Sequence, residues 1–499
     1  MKHILKPSCL LLAAVIICAA AAGVYEHRLW QGGQLAAKTA YMQSRNLALD
    51  AASDAQEAID GNNSTSFRSL KRQNKAIVVD LKEPRAFNSV VLKEAGLRVK
   101  DFSLSVSDDN QVYRQIFRSD KIEFHRLCTF DTVQARYLKL TILEADAAPA
   151  IREIEIYNEP ARSGKGFRTT AYLSAGDLNS ILARDDIATG EKEALVESYL
   201  DSYDLQKLTH LYYFCGVNFD ETGLLFLGEK TDDQARLREN LALLLRCMRP
   251  RMRPDVKLSF VMGKSLDGPG MNRAMGENRD VFIQNIIAFA NQFGFDGVDI
   301  DYEFPQTDED FKTYSDFLIR LKAEMDLHMA KGEDNLLSCA FGTRDLHYPQ
   351  EAVDAIDMVN IMAYDIMDQD GQHASFWSCT EQAGAYLQSV GFRKEQINLG
   401  IPFYGTQTNA IMEQYIYKDL TNLSYDANTY SVPCYYDGSL TEVYFNSPSM
   451  VRDKTAFTLL NGYGGIMIFS LTCDTGSKEG CSLLRAAGTA LEQFGGAAQ

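Results

Sequence analysis

Hydrophobic and polar residues follow two different patterns along the chain, and the pattern changes near residue 160. From about 46 to 158, short apolar runs alternate with polar turns, and helical periodicity is almost absent. This pattern predicts an antiparallel β-sandwich. The predicted strands are AIVVDL at 76–81, SVVLKEA at 89–95, FSLSVS at 102–107, RYLKLTIL at 136–143 and IREIEIY at 151–157.

Beyond residue 165 the pattern becomes one of apolar strands alternating with amphipathic helices, such as 234–248 and 310–330. Eight such repeats predict a (β/α)8 barrel. A doubly wound sheet is the alternative, but no Gly-rich phosphate-binding motif follows the first strand. The eight predicted strands are 169–175, 208–217, 257–263, 294–304, 336–342, 358–365, 397–405 and 464–471.

The N-terminus has the pattern of an export signal. Lys2 and Lys6 supply positive charge, and the stretch from Cys9 to Val24 carries no charge. That stretch is shorter than the ~20 residues that a spanning helix needs. We therefore expect a signal peptide over 1–24, with an uncleaved anchor as the alternative, and a secreted or cell-envelope protein. Any membrane association would run through this segment only.

The remaining boundaries follow from composition. Residues 25–45 are polar and helix-prone, which predicts a spacer before a β-domain at 46–160. The Ser/Gly/Lys stretch from Ala161 to Gly166 predicts a linker. A barrel domain at 165–495 follows, and we expect the two domains to have separate cores.

Charge and cysteine usage narrow the classes of partner. The formal net charge is −17, so the chain repels phosphate backbones and nucleic acid is not an expected partner. The cysteines beyond the leader form no CxxC pair, and the seven histidines show no metal-ligand spacing. Single buried thiols are therefore expected. Cys473 and Cys481 are close enough in sequence to pair, which is the alternative.

The β-domain segments resemble discoidin, or coagulation factor 5/8 type C, domains. AIDGNNSTSF (58–67), IVVDL (77–81), FSLSVSDD (102–109), ARYLKLTI (135–142) and IREIEIY come in the order seen in that family. Phe67 stands where the family usually has tryptophan. The resemblance implies a jelly roll that often binds sugars and sometimes a structural calcium ion. It would place Asp60, Thr65 and Glu153 near that ion, whereas the residues alone fit a simple turn at Asp60.

The chemistry-bearing segment is the acidic strand from Asp296 to Glu303. Side chains alternate between the two faces of a strand, so Asp299, Asp301 and Glu303 share one face in steps of about 7 Å. Acids that point into a barrel are costly to bury and repel one another, so at least one should hold a proton near neutral pH. The alternatives are a solvated surface strand or a calcium loop, but calcium loops are not built on Val/Ile strands.

Position supports a catalytic role for Glu303. This residue is the last acid of the run and should lie at the C-terminal end of its strand, where barrel active sites are built. A carboxylic acid with a raised pKa can protonate a leaving oxygen there.

The segment DGVDIDYEFP (296–305) closely resembles the DxxDxDxE motif of family 18 glycoside hydrolases, the chitinase-like enzymes. MAYD (362–365), GIPFYG (400–405) and GGIMIFSL (464–471) resemble further strands of that family in order. The resemblance implies a retaining mechanism in which the N-acetyl oxygen of the substrate attacks the anomeric carbon, without a protein nucleophile and without a cofactor.

The resemblance also implies individual roles. Glu303 would be the general acid and then the base, and Asp301 would orient the N-acetyl group and stabilise the oxazolinium intermediate. Asp299 would share a proton with Asp301. The remaining implied site residues are Tyr364, which would bond the N-acetyl carbonyl, and Asp365, Met362, Phe469 and Tyr302, which would contact the substrate.

Three departures from the family pattern bear on the substrate. The third strand ends Val261-Met262-Gly263-Lys264 instead of S-x-G-G, and Phe469 replaces the tryptophan that floors the sugar site. Trp377 is an alternative floor. The stretch from Gly405 to Asn446 also looks short for the α+β insertion of deep-groove members, which predicts a shallower groove.

Three functions compete at this point. A chitinase acting on chitin or chito-oligosaccharides is the first. An endo-β-N-acetylglucosaminidase cutting N-glycan cores, or a peptidoglycan glycosidase, is the second. A catalytically inactive lectin is the third, but inactive relatives typically lose the acid, and Glu303 is present.

Overall fold

The computed structural model describes residues 39, 41–69, 75–174, 176–263, 268–343, 346–365, 377–407, 410–422, 428–436, 439–476 and 480–496. The predicted leader over 1–24 and most of the predicted spacer lie outside the described residues. Within the described ranges, no helix is both long and apolar enough to cross a bilayer.

The N-terminal domain is the predicted antiparallel β-sandwich. Its strands pair in the order β2-β7-β3-β6-β4-β5, and β1 pairs with β3. The two predicted strands at 76–81 and 89–95 form one long strand, because register shifts near residues 80–85 and 87–89 bend it instead of ending it. The strands are β1 (Ala52–Ser53), β2 (Phe67–Arg68), β3 (Lys75–Glu94), β4 (Val99–Ser107), β5 (Arg114–Ser119), β6 (Arg126–Ala145) and β7 (Ala150–Tyr157).

The second domain is a closed eight-stranded parallel barrel, as predicted, in the strand order β12-β13-β14-β15-β16-β21-β8-β9. Each barrel strand lies within a predicted run or one residue from it. The strands of this domain are β8 (Arg168–Ser174), β9 (His210–Phe214), β10 (Val217–Phe219), β11 (Leu225–Leu227), β12 (Lys257–Gly263), β13 (Gly297–Asp301), β14 (Leu336–Phe341), β15 (Met358–Ile361), β16 (Ile397–Pro402), β17 (Tyr404–Gln407), β18 (Ala410–Ile416), β19 (Ser431–Tyr436), β20 (Ser439–Tyr444) and β21 (Gly465–Phe469).

Helices surround the barrel, and the predicted stretch 234–248 is a helix with those same bounds. The helix after β13 begins with a capping box, in which the Thr307 side chain and Asp310 satisfy each other's backbone N–H groups. The helices are α1 (Gly176–Leu182), α2 (Thr189–Leu200), α3 (Gln234–Met248), α4 (Gly268–Met275), α5 (Arg279–Phe293), α6 (Asp308–His328), α7 (Gln350–Ala355), α8 (Ala383–Val390), α9 (Tyr417–Thr421), α10 (Pro448–Leu460) and α11 (Leu483–Phe494).

The stretch between β16 and α10 holds a small α+β insertion. Four antiparallel strands pair in the order β18-β17-β20-β19, and α9 lies between two of them in sequence. The stretch that looked too short for such an insertion therefore contains one. Strands of four to seven residues are enough for a sheet of this size, and so length alone was a poor guide.

The two domains share a buried interface. Val91, Leu127 and Tyr157 of the sandwich belong to the same apolar core as the barrel residues. Asp453 of α10 accepts hydrogen bonds from the backbone N–H and the hydroxyl of Thr129 at 2.8 and 2.6 Å, and it pairs with Arg126 at 3.2 Å. A second apolar core, which includes Ile77, Phe102 and Leu138, belongs to the sandwich alone, so the two domains have separate cores that meet at this contact.

The predicted linker and the described end of the predicted spacer are also part of this interface. Arg162 donates from its backbone to the Phe494 carbonyl and from its guanidinium to the Leu460 carbonyl. Tyr41 packs edge-on against Phe457 of α10, and its hydroxyl lies 2.8 Å from His125 Nε2. Because these segments bury side chains and satisfy backbone groups, they hold the domains together and do not act as loose tethers.

The thiols agree with the cysteine prediction. The seven cysteines whose side chains are described carry free thiols, and six of the seven are buried. Cys473 and Cys481 are among them, so the alternative disulfide between these two residues is not formed.

Candidate active site

The acids of β13 lie where alternation predicted. Asp299 and Asp301 belong to the strand, and Glu303 follows it by two residues at the C-terminal end of the barrel. Asp299 is completely buried, and Asp301 and Glu303 are partly accessible. The structure thus brings the three predicted acids together as a column that runs from the barrel interior to its mouth, and we call it the acid column.

Asp299 is held by neutral hydrogen-bond donors. Its Oδ2 accepts from the Tyr172 hydroxyl at 2.6 Å, and its Oδ1 accepts from the Ser338 hydroxyl at 2.5 Å and from Asn360 Nδ2 at 3.2 Å. Burial raises the pKa of Asp299 to about 6, and these donors oppose that rise because they stabilise the anion. Asp299 therefore titrates in the range in which enzymes commonly work.

Asp301, unlike Asp299, lies among other acids. Burial and the negative charges of Glu303 and Asp299 hold the pKa of Asp301 well above its usual range. Its Oδ1 is buried and accepts no hydrogen bond from the part of the chain that the structure describes. Its neutral form is therefore favoured, and Asp301 presents a carboxyl oxygen that a ligand can engage.

An aromatic cluster lies beside the acid column. The Phe469 ring stacks on Tyr364 with a centroid distance of 5.6 Å and an interplanar angle of 21°. Tyr172 and Tyr404 meet the same ring edge-on at 5.7 and 6.3 Å. Because Tyr172 also bonds Asp299, Phe469 faces the barrel interior, on the same side as the acid column.

Asp365 ends the segment that follows β15. Its Oδ1 accepts from the Tyr404 hydroxyl at 2.7 Å, and burial raises its pKa to about 6. Its φ of 55° lies in the left-handed region, which non-glycine residues rarely adopt, so the surrounding structure holds it there. Met362 is partly buried against the barrel core. The structure therefore brings Asp365 close to Tyr364 and the acid column, whose charges act on Tyr364.

The model of glycosyl hydrolases family 18 matches residues 187–474, which are 288 of the 499 residues. The chain belongs to glycosyl hydrolase family 18. The F5/8 type C domain model matches residues 39–155, in agreement with the discoidin resemblance of the sandwich.

Curated relatives of this family 18 chain include two chitinases. Chitinase 1 of Aphanocladium album is 27% identical over 248 residues, which are 41% of this chain and 58% of the relative. The probable endochitinase of Caenorhabditis elegans is 27% identical over 260 residues, which are 42% of each chain. The chain thus spans about half the length of the curated relatives that it matches.

Two solved structures show the same barrel fold. A chitinase from Bacteroides thetaiotaomicron superposes with a TM-score of 0.50 at 23% identity, over 67% of this chain and 99% of its own. A mutant of a family 18 chitinase from Cycas revoluta, in complex with (GlcNAc)4, superposes with a TM-score of 0.51 at 18% identity, over 65% of this chain and 99% of its own.

The structure does not bring Tyr302 to the site. Its side chain is 2% exposed, its hydroxyl donates to Asn272 at 3.2 Å, and its ring meets Tyr314 of α6 edge-on. Strand alternation sends it to the helix side, so the predicted substrate contact is wrong. Lys264 lies outside the described residues, and the side chain of Trp377 is not described.

The site also contains residues that the sequence analysis did not name. They are the partners of the acids: Tyr172, Ser338, Asn360 and Tyr404. Polar residues within apolar strands were the available signal, because a buried hydroxyl or amide needs a partner. Which acid each one bonds depends on strand register across the barrel, and a single sequence does not contain that information.

The residues predicted to hold calcium do come together in the sandwich. Thr65 donates to Asp60 Oδ2 at 2.8 Å, and Asp60 lies close enough to act on the pKa of Glu153. Burial first, then the presence of Asp60, raises that pKa to about 7. Both Glu153 oxygens are buried without a hydrogen-bond partner among the described residues. Two carboxylates and a hydroxyl are oxygen ligands of the kind that a hard cation prefers. However, no described group of three or more Asp, Glu, His or Cys residues is arranged to bind a metal.

Proposed function

We propose that this chain is an exported retaining glycosidase that hydrolyses β-1,4-linked N-acetylglucosamine, as in chitin or chito-oligosaccharides. Family membership implies a carbohydrate substrate. The observation that carries the finer proposal is the acid column, in which Asp301, with an unsatisfied oxygen, lies beside the aromatic cluster around Phe469. The exported location rests on the leader sequence alone.

Glu303 has the position of the proton donor. It ends the acid column at the mouth of the barrel, where a glycosidic oxygen can reach it. In the first step Glu303 gives its proton to the leaving oxygen while the carbonyl oxygen of the substrate's N-acetyl group attacks the anomeric carbon. In the second step the Glu303 carboxylate takes a proton from water, and that water opens the oxazolinium ring.

Asp301 and Asp299 would stabilise the positive charge that develops on the substrate between these two steps. The unsatisfied Asp301 oxygen can accept the N–H of the N-acetyl group and so orient it for attack. The oxazolinium ion is positive, and it favours the ionised form of Asp301. Asp299, with a pKa of about 6, is the neighbouring base that can accept the proton that Asp301 gives up.

The aromatic cluster and Asp365 would hold the sugar. Phe469 offers an apolar ring for the sugar face, although it has less area than a tryptophan and no N–H donor. Tyr364 stacks on that ring, and its hydroxyl is the proposed donor to the N-acetyl carbonyl. Asp365, fixed by Tyr404, is the proposed contact to the sugar hydroxyls at the cleavage site.

The direct test is Glu303→Gln, with Glu309→Gln as the matched control on the exposed first turn of α6. On soluble chito-oligosaccharides we expect Glu303→Gln to fold normally and to lose at least ~10³-fold in kcat, because no proton is delivered to the leaving group. Glu309→Gln should retain wild-type rates. A Glu303→Gln rate within tenfold of wild type would overturn the mechanism. Cleavage of a high-mannose glycoprotein or of peptidoglycan, but not of chito-oligosaccharides, would overturn the substrate.

We also propose that the sandwich binds a structural calcium ion through Asp60, Thr65 and Glu153. The unsatisfied Glu153 oxygens support this proposal. Calcium should raise the Tm of the wild-type protein in a chelator-controlled titration, and Glu153→Gln should abolish that rise. An equal rise in both proteins would exclude the site.

A further inference from the structure

A chain of hydrogen bonds runs from Asp299 through the barrel interior to a guanidinium group. Asn360 Nδ2 donates to Asp299 Oδ1 at 3.2 Å, and Asn398 Nδ2 donates to Asn360 Oδ1 at 2.9 Å. Arg168 Nε in turn donates to Asn398 Oδ1 at 2.9 Å. Both asparagines are fully buried. Neither they nor Arg168 has a role in the mechanism given above.

Strand register and two glycines build this chain. Asn360, Asn398, Gly465 and Arg168 are successive register partners on β15, β16, β21 and β8, so they lie at one level of the barrel. A Cβ on Gly464 would lie 1.9 Å from an Arg168 guanidinium nitrogen, and one on Gly465 would lie 2.7 Å from Arg168 Cβ. The two glycines therefore leave the space through which Arg168 reaches across β21 to Asn398.

The chain has a single direction. A guanidinium group only donates, so the group that Arg168 Nε contacts must be the carbonyl of the Asn398 amide. The NH2 of Asn398 then points to Asn360, and the Asn360 carbonyl must accept it. The NH2 of Asn360 is left to face Asp299. Arg168 thus sets the orientation of both amides, and neither can turn its oxygen toward the carboxylate without breaking a bond.

We propose that Arg168, Asn398 and Asn360 are positioning residues that keep a donor on Asp299 and so make Asp299 the group that accepts the proton of Asp301 during the reaction. The proposal rests on the proposed function, because it concerns the same acid column. A donor held on Asp299 favours its ionised form, and only ionised Asp299 can take the proton. We call these three residues the donor relay.

Apart from the acids of the column, the ionisable groups around Asp299 stay neutral in the pH range in which Asp299 titrates. Burial holds the tyrosine hydroxyls and the thiol near Asp299 neutral, because it raises each of their pKa values. At the far end of the relay, burial and the charges of Arg168 and Lys257 lower the pKa of His210 to about 3, so His210 is neutral as well. The neutral neighbours of Asp299 are Tyr172 of β8, Tyr212 of β9, Tyr314 of α6, Cys339 of β14 and Tyr364 after β15.

Two substitutions break the relay in different places. Asn398→Leu keeps the branching and the number of heavy atoms of the side chain but neither accepts nor donates, and Arg168→Met removes the donor that orients the amides. Arg168→Lys is the conservative variant, because it keeps a charged donor. Thr170→Val is the matched control: Thr170 is buried on β8 and donates to the Ile466 carbonyl at 2.9 Å, outside the relay.

The first readout is the pH dependence of kcat and kcat/KM on 4-methylumbelliferyl chitobioside. Loss of the relay should move the acidic limb of the pH–rate profile to higher pH by about half a unit or more. The reason is that Asp299 then keeps its own proton to a higher pH. kcat at pH 6 should fall about two- to threefold, because a half-unit shift lowers the ionised fraction of Asp299 by no more than that factor. Arg168→Lys should restore much of the profile, and Thr170→Val should leave it unchanged.

The second readout needs no substrate. A buried acid with a raised pKa stabilises the fold below its unfolded pKa, and this contribution is lost as pH rises through the folded value, here about 6 for Asp299. In relay variants the corresponding fall of Tm should occur at higher pH, and the shift should vanish in an Asp299→Asn background. If wild type hydrolyses the chitobioside and neither profile moves, the relay is only structural and the proposal is wrong. If the Tm profile shifts but wild type is inactive on every glycan, the relay stands and the proposed function is wrong.

Discussion

The domain interface and the acid column both bury a carboxylate completely, but they neutralise it differently. Asp453 in the interface and Asp299 in the column are each 0% exposed, and burial raises the pKa of each to about 6. Asp453 is opposite Arg126, a full positive charge, and accepts two bonds from Thr129. Asp299 has only neutral donors, and its neighbour Asp301 faces the charges of both Asp299 and Glu303.

This difference distinguishes a buried carboxylate that stabilises the structure from buried carboxylates that are proposed to take part in proton transfer. An acid paired with a cation has its charge compensated, and removal of either partner leaves the other without compensation. Acids stacked on acids must share protons, because their charges cannot all be present together. No described lysine or arginine forms an ion pair with Asp299 or Asp301. The interface therefore holds the two domains together, whereas the proposed role of the column is to move a proton.

The largest contrast is expected for Asp301→Asn. This change removes the charge beside the cationic intermediate and should lower kcat by about 10²- to 10³-fold while the Tm changes little. Steady-state kinetics on chito-oligosaccharides, with a thermal melt of the same preparation, measure both quantities. A variant that loses stability but keeps its turnover would show that the column is structural.

Asp453→Asn should have the reverse profile. Removing the charge opposite buried Arg126 should cost about 3–5 kcal/mol of the free energy of unfolding, and kcat of the folded enzyme should stay near wild type. Chemical denaturation and kinetics at low temperature test this.

Because it lacks the same interface, a barrel beginning at Gly166 should be far less stable than the full chain. A fragment that melts like the full chain would show that the interface contributes little.

Phe469→Ala should have a smaller effect, about tenfold in kcat/KM, since it removes one stacking ring and leaves the acids in place. Phe469→Trp should keep activity and gain some on linear chito-oligosaccharides, because the larger ring restores the usual platform. Kinetics of both variants on a chromogenic chitobioside decide this. An unchanged kcat/KM for Phe469→Ala would mean that another residue forms the floor of the sugar site.

The features that follow from local pattern could be predicted from sequence. Alternation placed Asp299 and Asp301 on one face of β13, and apolar runs located all eight barrel strands. The same rule, applied consistently, would have excluded Tyr302 from the site. These predictions succeed because a strand exposes its two faces to different surroundings, and the sequence records that difference.

The domain interface could not be predicted, because its partners are distant in sequence and polar. Asp453 and Thr129 are 324 positions apart. In α10, Asp453, Lys454, Thr455 and Thr458 are all fully buried, although such residues normally mark a solvent-facing surface. Hydropathy reports burial against apolar groups, whereas Asp453 is buried against hydrogen-bonding partners of the other domain, and Thr455 and Thr458 donate to carbonyls of α10 itself. The donor relay could not be predicted from the sequence either, because its residues are polar and distant from one another along the chain.

In the proposed mechanism, the acid column catalyses hydrolysis through the N-acetyl group of the substrate and without a protein nucleophile. The most direct measurement is proton NMR of the anomeric signals during the first turnovers on a chito-oligosaccharide, together with inhibition by an N-acetylglucosamine thiazoline. We expect that the β-anomer appears first, that the thiazoline competes with substrate, and that no glycosyl group becomes attached to the enzyme. Initial formation of the α-anomer, or a glycosyl group trapped on any carboxylate of the barrel, would contradict it.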